Sequence, residues 1–187
     1  MSYLEELLKP GLIKNQVIKN RVSLAPMERG YANMDGSISQ RYIDYLVERA
    51  KNGVGMMNVE STYIDAKQRG RLYQVGLYDD WLIPSHRRLT DAVHRYGTKI
   101  VAEIQHPGRQ AGAVVNGVQP VAPSAVPCMA TGGDVPRELT AQEIKELVGL
   151  FACAALRAKE AGYDMISIHG GHGYIINSFA SPFSNPT

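Results

Sequence analysis

Four short apolar segments are the clearest feature of the hydrophobic pattern. They lie at 22–27 (VSLAPM), 56–60 (MMNVE), 99–104 (KIVAEI) and 165–169 (MISIH). Near-continuous apolar runs of this length are typical of strands that are buried on both faces, as in a parallel sheet. The sequence therefore predicts four buried parallel strands.

Helical patterns fill the intervals between these segments. The clearest begins at Thr140, where T-A-Q-E predicts a capping box: the Thr140 hydroxyl accepts from the Glu143 amide, and the Glu143 carboxylate reaches back. Apolar residues then recur at helical spacing until a predicted stop at Gly162. Two further helices are predicted over about 39–51 and 81–96.

The predicted elements alternate as β-α-β-α-β-α-β, which is a run of parallel crossover units. Every candidate chemical side chain lies at the carboxyl end of a predicted strand or just past it. Both α/β barrels and doubly wound sheets place their active sites there. The longest connection, 105–139, is rich in Gly, Pro and Ala, and loops of that length are usually functional.

Composition and charge are those of an ordinary globular domain. Hydrophobic residues make up 44% and charged residues 20% of the 187 residues, and the formal net charge of +2 includes no basic block. These features argue against a nucleic-acid partner. With no signal peptide and no run near the roughly 20 apolar residues that span a bilayer, we expect a cytoplasmic protein without a membrane partner.

Cys128 and Cys153 form no C-x-x-C pattern, so no disulfide framework is expected.

The stretch HGGHGY, 169–174, carries the strongest candidate chemistry. The imidazoles of His169 and His172 can donate N–H bonds to one oxygen that gains negative charge during a reaction. A glycine-rich turn with locally satisfied histidines is the plain alternative. A metal site is a third option, but it lacks a nearby third ligand and the H-E-x-x-H pattern. Tyr174 can present a proton donor to the same pocket, or it can be a partly buried aromatic.

Two other stretches have both a structural and a functional interpretation. Pro26 ends the first strand, where it either terminates the strand or fixes the loop against a flat ligand. His106 and Arg109 lie at a turn in HPGRQ, and Arg109 can hold an anionic or carbonyl group or clamp the long loop. No G-x-G-x-x-G or Walker pattern occurs, which disfavours a Rossmann dinucleotide site and a P-loop.

Taken together and in order, these segments resemble the old yellow enzyme family of flavin-dependent oxidoreductases, especially its branch of bacterial enoate and dienoyl-CoA reductases and NADH:flavin oxidoreductases. The matching stretches are IKNRVSLAPM, DGSISQRYIDYLVERAKNGVGMMNVE, QHPGRQ, VAPSAVP, RELTAQEI and AGYDMISIHGGHGYIINSFASPFSN. They cover nearly the whole of 1–187 in the family's order.

The resemblance implies a (βα)8 TIM barrel with FMN across its carboxyl mouth, of which residues 1–187 supply about the first four βα units. NADH or NADPH would reduce the FMN, and hydride would then pass to the β-carbon of an activated alkene such as an enoate, enone or dienoyl-CoA. His169 and His172 match the family's pair that binds the carbonyl oxygen of this unsaturated substrate. Tyr174 matches the family's proton donor to the α-carbon.

The resemblance also implies a set of cofactor-binding residues: Ala25, Pro26, Met27, Glu28, Glu60 and Glu103. Two of them depart from the common pattern. Glu103 replaces a glutamine that donates to the flavin pyrimidine, and a carboxylate can only accept there unless it is protonated. Glu28 replaces Thr or Cys, and an unpaired carboxylate facing the flavin would disfavour its anionic reduced form. Both departures are compatible with the related amine dehydrogenases, which oxidise C–N bonds.

A barrel of this kind needs eight strands in about 250 residues, whereas the sequence predicts four. We therefore expect the N-terminal half of an FMN-dependent enzyme that binds FMN poorly by itself, because the phosphate sites of such barrels follow strands seven and eight. The alternative is a non-catalytic half-barrel that pairs with a second copy or with a separate C-terminal half through its uncovered apolar faces. A homo-oligomer is expected.

Overall fold

The computed structural model describes residues 3–186 of the chain. Its strands are β1 Gly11–Ile13, β2 Gln16–Ile18, β3 Ser23–Leu24, β4 Met56–Asn58, β5 Thr62–Tyr63, β6 Lys99–Gln105, β7 Val121–Ala122, β8 Arg137–Glu138 and β9 Met165–Ile168. Its α-helices are α1 Tyr3–Leu8, α2 Gln40–Lys51, α3 Ile83–His94, α4 Ala113–Asn116, α5 Ala141–Glu160 and α6 Ile175–Ala180.

Strand β6 is the centre of a parallel sheet. Both β4 and β5 pair with one edge of β6, β9 pairs with the other edge, and β3 pairs with β4. The strands therefore lie side by side in chain order, with α2, α3 and α5 connecting them. This is the succession of βα units that the alternating pattern predicts, and it brings the carboxyl ends of all these strands to one edge of the sheet.

The predicted strand boundaries need correction at each strand. The segment 22–27 keeps only β3, because Pro26 has no N–H to continue a ladder and the chain leaves the sheet there. Pairing within 56–60 stops at Asn58 and resumes at β5 on the same edge of β6. The third strand extends one residue further, to Gln105, and the fourth ends at Ile168 instead of His169.

The prediction of burial on both faces is right for β6 and wrong for β3 and β9. Residues 100–105 of β6 are all buried, whereas β9 alternates between half-buried and exposed positions. Ile166 is 39% and Ile168 60% exposed. Within residues 3–186, β9 pairs along one edge only. It is an edge strand of the described sheet, and one of its faces is therefore open.

The main core lies between the sheet and the helices that cover it. Tyr42, Leu46, Met57, Leu89, Val93 and Ile100 are among its buried members. A second, smaller cluster joins the sheet to α5 and contains Ile64, Ile104 and Ala154. The helices α2 and α3 thus face the sheet with the side that their apolar residues predict, whereas the apolar face of α5 stays partly open, with Val148 64% exposed.

The helix caps follow local sequence signals. The Ser39 hydroxyl accepts from the Tyr42 amide at 3.1 Å and begins α2. The predicted capping box of α5 is confirmed: the Glu143 amide donates to Thr140 Oγ1 at 3.2 Å, and the Thr140 amide donates to Glu143 Oε2 at 2.8 Å. Arg137 bonds the same carboxylate and, together with the Thr140 bonds, lowers the pKa of Glu143 to about 2.

Several short elements carry no clear signal in the sequence. The helix α1 and the β1–β2 hairpin precede the first predicted strand, and the connection 105–139 contains α4 and the two-stranded β7–β8 sheet. The helix predicted over 81–96 begins at Ile83, because Asp80–Leu82 forms a 3-10 turn in which the Asp79 side chain accepts from the Trp81 amide.

His86 is a fully buried polar group of α3. Its Nε2 lies 2.9 Å from the Gly76 carbonyl oxygen and its Nδ1 lies 2.8 Å from the Tyr163 hydroxyl. A carbonyl oxygen can only accept, so Nε2 carries the proton and Nδ1 accepts from Tyr163. Burial lowers the pKa of His86 to about 4, against the opposing effect of the Gly76 bond.

We expect His86 to make folding stability depend on pH. Between its unfolded pKa of about 6.5 and its folded pKa of about 4, the unfolded chain binds more protons, so stability falls as the pH falls through this window. Urea unfolding at pH 7 and pH 4.5 should show a loss of up to about 3 kcal/mol that His86→Gln does not share. Equal losses in the two proteins would contradict this account.

Candidate active site at the carboxyl ends of the strands

Three side chains that follow β9 form a compact cluster. His169 comes directly after the strand, and its amide extends the ladder by donating to the Ile104 carbonyl oxygen at 3.1 Å. The His169 ring lies 4.9 Å from the His172 ring and 5.0 Å from the Tyr174 ring, both in edge-on geometry. The structure thus brings together the three residues that the sequence singles out.

The two imidazoles form a directed chain of hydrogen bonds. The Gly171 amide donates to His169 Nδ1 at 3.4 Å, which leaves the ring proton on His169 Nε2. His169 Nε2 lies 3.0 Å from His172 Nδ1, so it donates to that atom. The ring proton of His172 is then on Nε2 and is free to donate to a ligand. In this arrangement one histidine orients the other, whereas the sequence interpretation has both donating to one oxygen.

Backbone conformation and burial hold this cluster in place. His172 has a φ of +56°, a left-handed conformation that costs energy for a residue with a side chain. The Gln110 side chain donates to the His172 carbonyl oxygen and fixes that turn. Burial, and then the neighbouring His172 ring, lower the pKa of His169. A neutral imidazole at this position suits the donor chain described above.

Tyr174 occupies the N-cap position of α6 and is half-buried. Burial raises the pKa of its hydroxyl, and the carboxylates of Glu28 and Glu103 raise it further. Arg71 acts in the opposite direction, by its charge and by a side-chain hydrogen bond. The phenol therefore remains protonated at neutral pH and can serve as a proton donor.

Glu103 lies on β6 beside this cluster and is 8% exposed. Within residues 3–186 no donor forms a hydrogen bond with its carboxylate. Burial raises the pKa of Glu103, while His172 acts to lower it and Glu28 to raise it. Its oxygens are not among the buried polar atoms that lack a partner, so they remain open to a ligand that brings an N–H group.

Glu28 has a partner that the sequence interpretation missed. Its Oε2 lies 2.6 Å from Arg71 Nε, so the carboxylate is paired and not isolated as expected. Burial raises the pKa of Glu28, and Arg71 opposes that shift. Arg71 is 43 residues away in the chain and sits in an irregular loop, where no periodicity or motif indicates its contacts.

Glu60 is completely buried and ties two loops together. Its Oε2 accepts from the Arg29 amide at 2.8 Å and its Oε1 accepts from the Val75 amide at 3.2 Å. The Glu60 amide donates to the Tyr42 hydroxyl at 2.9 Å. Burial raises the pKa of the Glu60 carboxyl to about 7. This geometry gives Glu60 a role in positioning the loops around the site, and its contact with a cofactor stays a prediction.

The segment after β3 lies open at the same edge of the sheet. Ala25 and Met27 are exposed, Pro26 is half-buried, and Asn58 donates to the Leu24 carbonyl oxygen at 3.1 Å. Strand β4 thereby fixes the base of this segment. An open, anchored and partly apolar surface beside Glu28 fits a flat ring, as the resemblance predicts.

The HPGRQ turn holds the long loop in place. His106 is buried, accepts from the Gly108 amide at 3.1 Å, and faces Asp65 at 3.6 Å. Arg109 donates to the Pro127 carbonyl oxygen at 3.2 Å, and its guanidinium lies 5.7 Å from the centre of the Phe183 ring. These contacts favour the loop-clamping interpretation of Arg109.

The described part of the chain offers neither a metal site nor a disulfide. No group of three or more His, Cys, Asp or Glu side chains there is arranged to hold a metal ion. Cys128 and Cys153 are both free. None of the helices within 3–186 has the length and apolarity to cross a membrane.

The fold and the site together define a protein with an α/β-barrel type of sheet and hydrogen-bond donors gathered at its carboxyl edge. Residues 6–187 match the model of the NADH:flavin oxidoreductase / NADH oxidase family. The chain therefore belongs to this family, which includes the old yellow enzymes. The resemblance found in the sequence and the assignment to the first βα units of a TIM barrel are both confirmed.

Known proteins show how much of such a molecule this chain spans. The NADH oxidase of Thermoanaerobacter brockii is 46% identical over 187 residues, which cover 99% of this chain and 29% of that protein. A solved 2-naphthoyl-CoA reductase, in complex with 2-naphthoyl-CoA, is 29% identical with a TM-score of 0.93, covering 98% of this chain and 30% of that one. The old yellow enzyme homologue from Zymomonas mobilis is 32% identical with a TM-score of 0.87, covering 97% and 53%. The chain thus spans about a third to a half of the length of these proteins.

Proposed function

We propose that this chain provides the substrate-binding part of an FMN-dependent oxidoreductase that uses NADH or NADPH to reduce an activated alkene. The observation that carries the proposal is the cluster of His169, His172 and Tyr174, which lies beside the unpaired carboxylate of Glu103. A hydrogen-bond donor for a carbonyl oxygen and a proton donor for a carbon atom thus lie next to a surface that suits a flavin.

The residues present fit FMN as far as this half of the sheet extends. Ala25, Pro26 and Met27 would line the ring, and Glu103 would accept from an N–H group of the pyrimidine. Glu28 and Glu60 would act near the ring or through the loops that they fix. Bound FMN would supply hydride, which it receives from the nicotinamide, to the β-carbon of the substrate.

The chain's own residues perform the rest of the reaction. His172 donates from Nε2 to the substrate carbonyl oxygen, and this bond strengthens as the oxygen gains negative charge. His169 holds the His172 ring in the donating orientation through the 3.0 Å contact. Tyr174 then delivers its hydroxyl proton to the α-carbon. The products are a saturated carbonyl compound and a phenolate that regains a proton from water.

An amine-dehydrogenase-like activity fits the site less well. The carboxylates of Glu28 and Glu103 are compatible with it in the sequence, but Arg71 pairs with Glu28 in the structure. The oxidation of a C–N bond has no need of a proton donor for carbon, whereas the protonated hydroxyl of Tyr174 would supply one. Alkene reduction therefore accounts for more of the observed geometry.

Replacement of Tyr174 tests the proposed chemistry. In a chimera, residues 1–187 would replace the matching residues of the Thermoanaerobacter brockii NADH oxidase. Tyr174→Phe should lower the rate of 2-cyclohexenone reduction by about 100-fold or more, since a general acid contributes that much. NADH oxidation with ferricyanide as acceptor should stay nearly unchanged.

Tyr96→Phe is the matched control, because Tyr96 lies at the opposite end of β6 and loses the same hydroxyl. It should change neither rate. An equal loss of both rates in Tyr174→Phe would show that Tyr174 is structural. A chimera that oxidises amines but leaves enones untouched would point to the dehydrogenase alternative.

A non-catalytic half-barrel that self-associates is the second candidate, and one apolar surface favours it. A cavity of about 240 Å³ between α5, the end of β9 and α6 is lined entirely by apolar side chains. Val148 is 64% and Ile168 60% exposed there. An exposed apolar groove of this kind is typical of a site where another protein surface binds.

The mass of the 187-residue chain in solution tests this second candidate. If two copies cover the groove, sedimentation equilibrium should show a dimer, and Val148→Lys should weaken it about tenfold or more, because burying a valine contributes about 1.5 kcal/mol or more. Val114→Lys is the control, since Val114 is 99% exposed and lies outside the groove. A monomer at every concentration would refute self-association.

A further inference from the structure

Arg71 connects two loops at the carboxyl edge of the sheet. Its Nε lies 2.6 Å from Glu28 Oε2. Glu28 is mostly buried, with 19% of its side chain exposed, whereas 68% of the Arg71 side chain is exposed. Glu28 is thus the buried partner of this ion pair, on the loop after β3, and Arg71 is the partner that reaches solvent.

Arg71 and Tyr174 line the same cavity. This cavity has a volume of about 250 Å³, and its other lining residues include Gln110, Gly112 and Thr131. Tyr174 also packs edge-on against His169, with 5.0 Å between the ring centres. Tyr174 therefore joins the histidine pair to the cavity that Arg71 lines.

The charged groups around Tyr174 act in two directions. Glu28 and Glu103 oppose ionisation of the phenol, and so does its burial. Arg71 acts in the other direction and favours the phenolate, by its charge and by a side-chain hydrogen bond.

We propose that Arg71, anchored by Glu28, is a positioning residue for Tyr174: it directs the hydroxyl into the cavity and stabilises the phenolate that remains after proton transfer. This role rests on the proposed function, since Tyr174 must be the proton donor for the phenolate to form. Neither Glu28 nor Arg71 touches the reacting carbons in this scheme.

The proton and electron balance of the step is complete. The Tyr174 O–H bond breaks and a C–H bond forms at the α-carbon of the alkene, while reduced flavin, when bound, would supply the hydride for the C–H bond at the β-carbon. The phenolate then takes a proton from water at the open side of the cavity. Arg71 keeps its own proton throughout, because a guanidinium does not deprotonate in proteins.

A purely structural ion pair would have a different effect. If Arg71 only tied the two loops together, its replacement would change the stability of the fold slightly and would leave the Tyr174 pKa unchanged. The titration of Tyr174 therefore separates the two roles. It requires neither flavin nor substrate.

The experiment is an NMR titration of the 187-residue chain labelled with ¹³C at the tyrosine Cζ, with the Tyr174 signal assigned from Tyr174→Phe. Arg71→Gln should raise the Tyr174 pKa by about half a unit or more, which is about a threefold fall in its acidity constant. Arg71→Lys keeps the charge and should recover part of the shift. Far-UV circular dichroism and thermal unfolding show whether each variant is folded.

Arg69→Gln is the matched control. It removes the same charge two residues away, where the guanidinium donates to the Met34 carbonyl oxygen at 2.8 Å, and it should leave the Tyr174 pKa in place. An unchanged Tyr174 pKa in folded Arg71→Gln would overturn the positioning role, and so would an equal shift in Arg69→Gln.

A double-mutant cycle tests the anchor. In a Glu28→Gln background Arg71 is released, so adding Arg71→Gln should move the Tyr174 pKa much less than it does in the original chain. Equal shifts in both backgrounds would show that Glu28 does not hold Arg71. Because the titration involves no turnover, a shift in Tyr174 together with an inactive chimera would contradict the proposed function while leaving the positioning of Tyr174 intact.

Discussion

The parallel pairing of β6 along both of its edges is the constraint on which the rest of the structure depends. Its register places Asn58 opposite Val101 on one side and Ser167 opposite Glu103 on the other. Side chains from three separate strands therefore emerge at one edge of the sheet. The histidine pair, the tyrosine and the unpaired Glu103 meet there only because this register is fixed by backbone hydrogen bonds and by the burial of β6.

Much of this arrangement can be predicted from the sequence, for identifiable reasons. Buried strands and capped helices depend on local composition, so the βα order and the Thr140 capping box are visible in the chain. The grouping of His169, His172 and Tyr174 follows from their closeness in sequence. Strand ends are less predictable, because pairing with β6 decides where β4 stops and β5 begins. Burial of β9 was also misjudged, since composition does not reveal which strand lies at an edge.

The electrostatics of the site depend on contacts between loops that no periodic pattern indicates. Arg71 is far in sequence from both Glu28 and Tyr174, yet it pairs with the first and opposes the rise in the pKa of the second. The direction of the histidine chain likewise depends on a single backbone donor at Gly171. Sequence thus identifies the candidate groups, whereas tertiary structure determines which of them carry protons and where those protons point.

We propose that this chain holds the substrate end of a flavin site and that FMN needs further barrel strands to bind well, since phosphate sites of such barrels follow strands seven and eight. Titration of the 187-residue chain with FMN, followed by flavin fluorescence, tests it most directly. We predict a Kd no tighter than about 0.1 mM and no NADH turnover. Binding at about 1 µM with catalytic turnover of NADH would contradict the account.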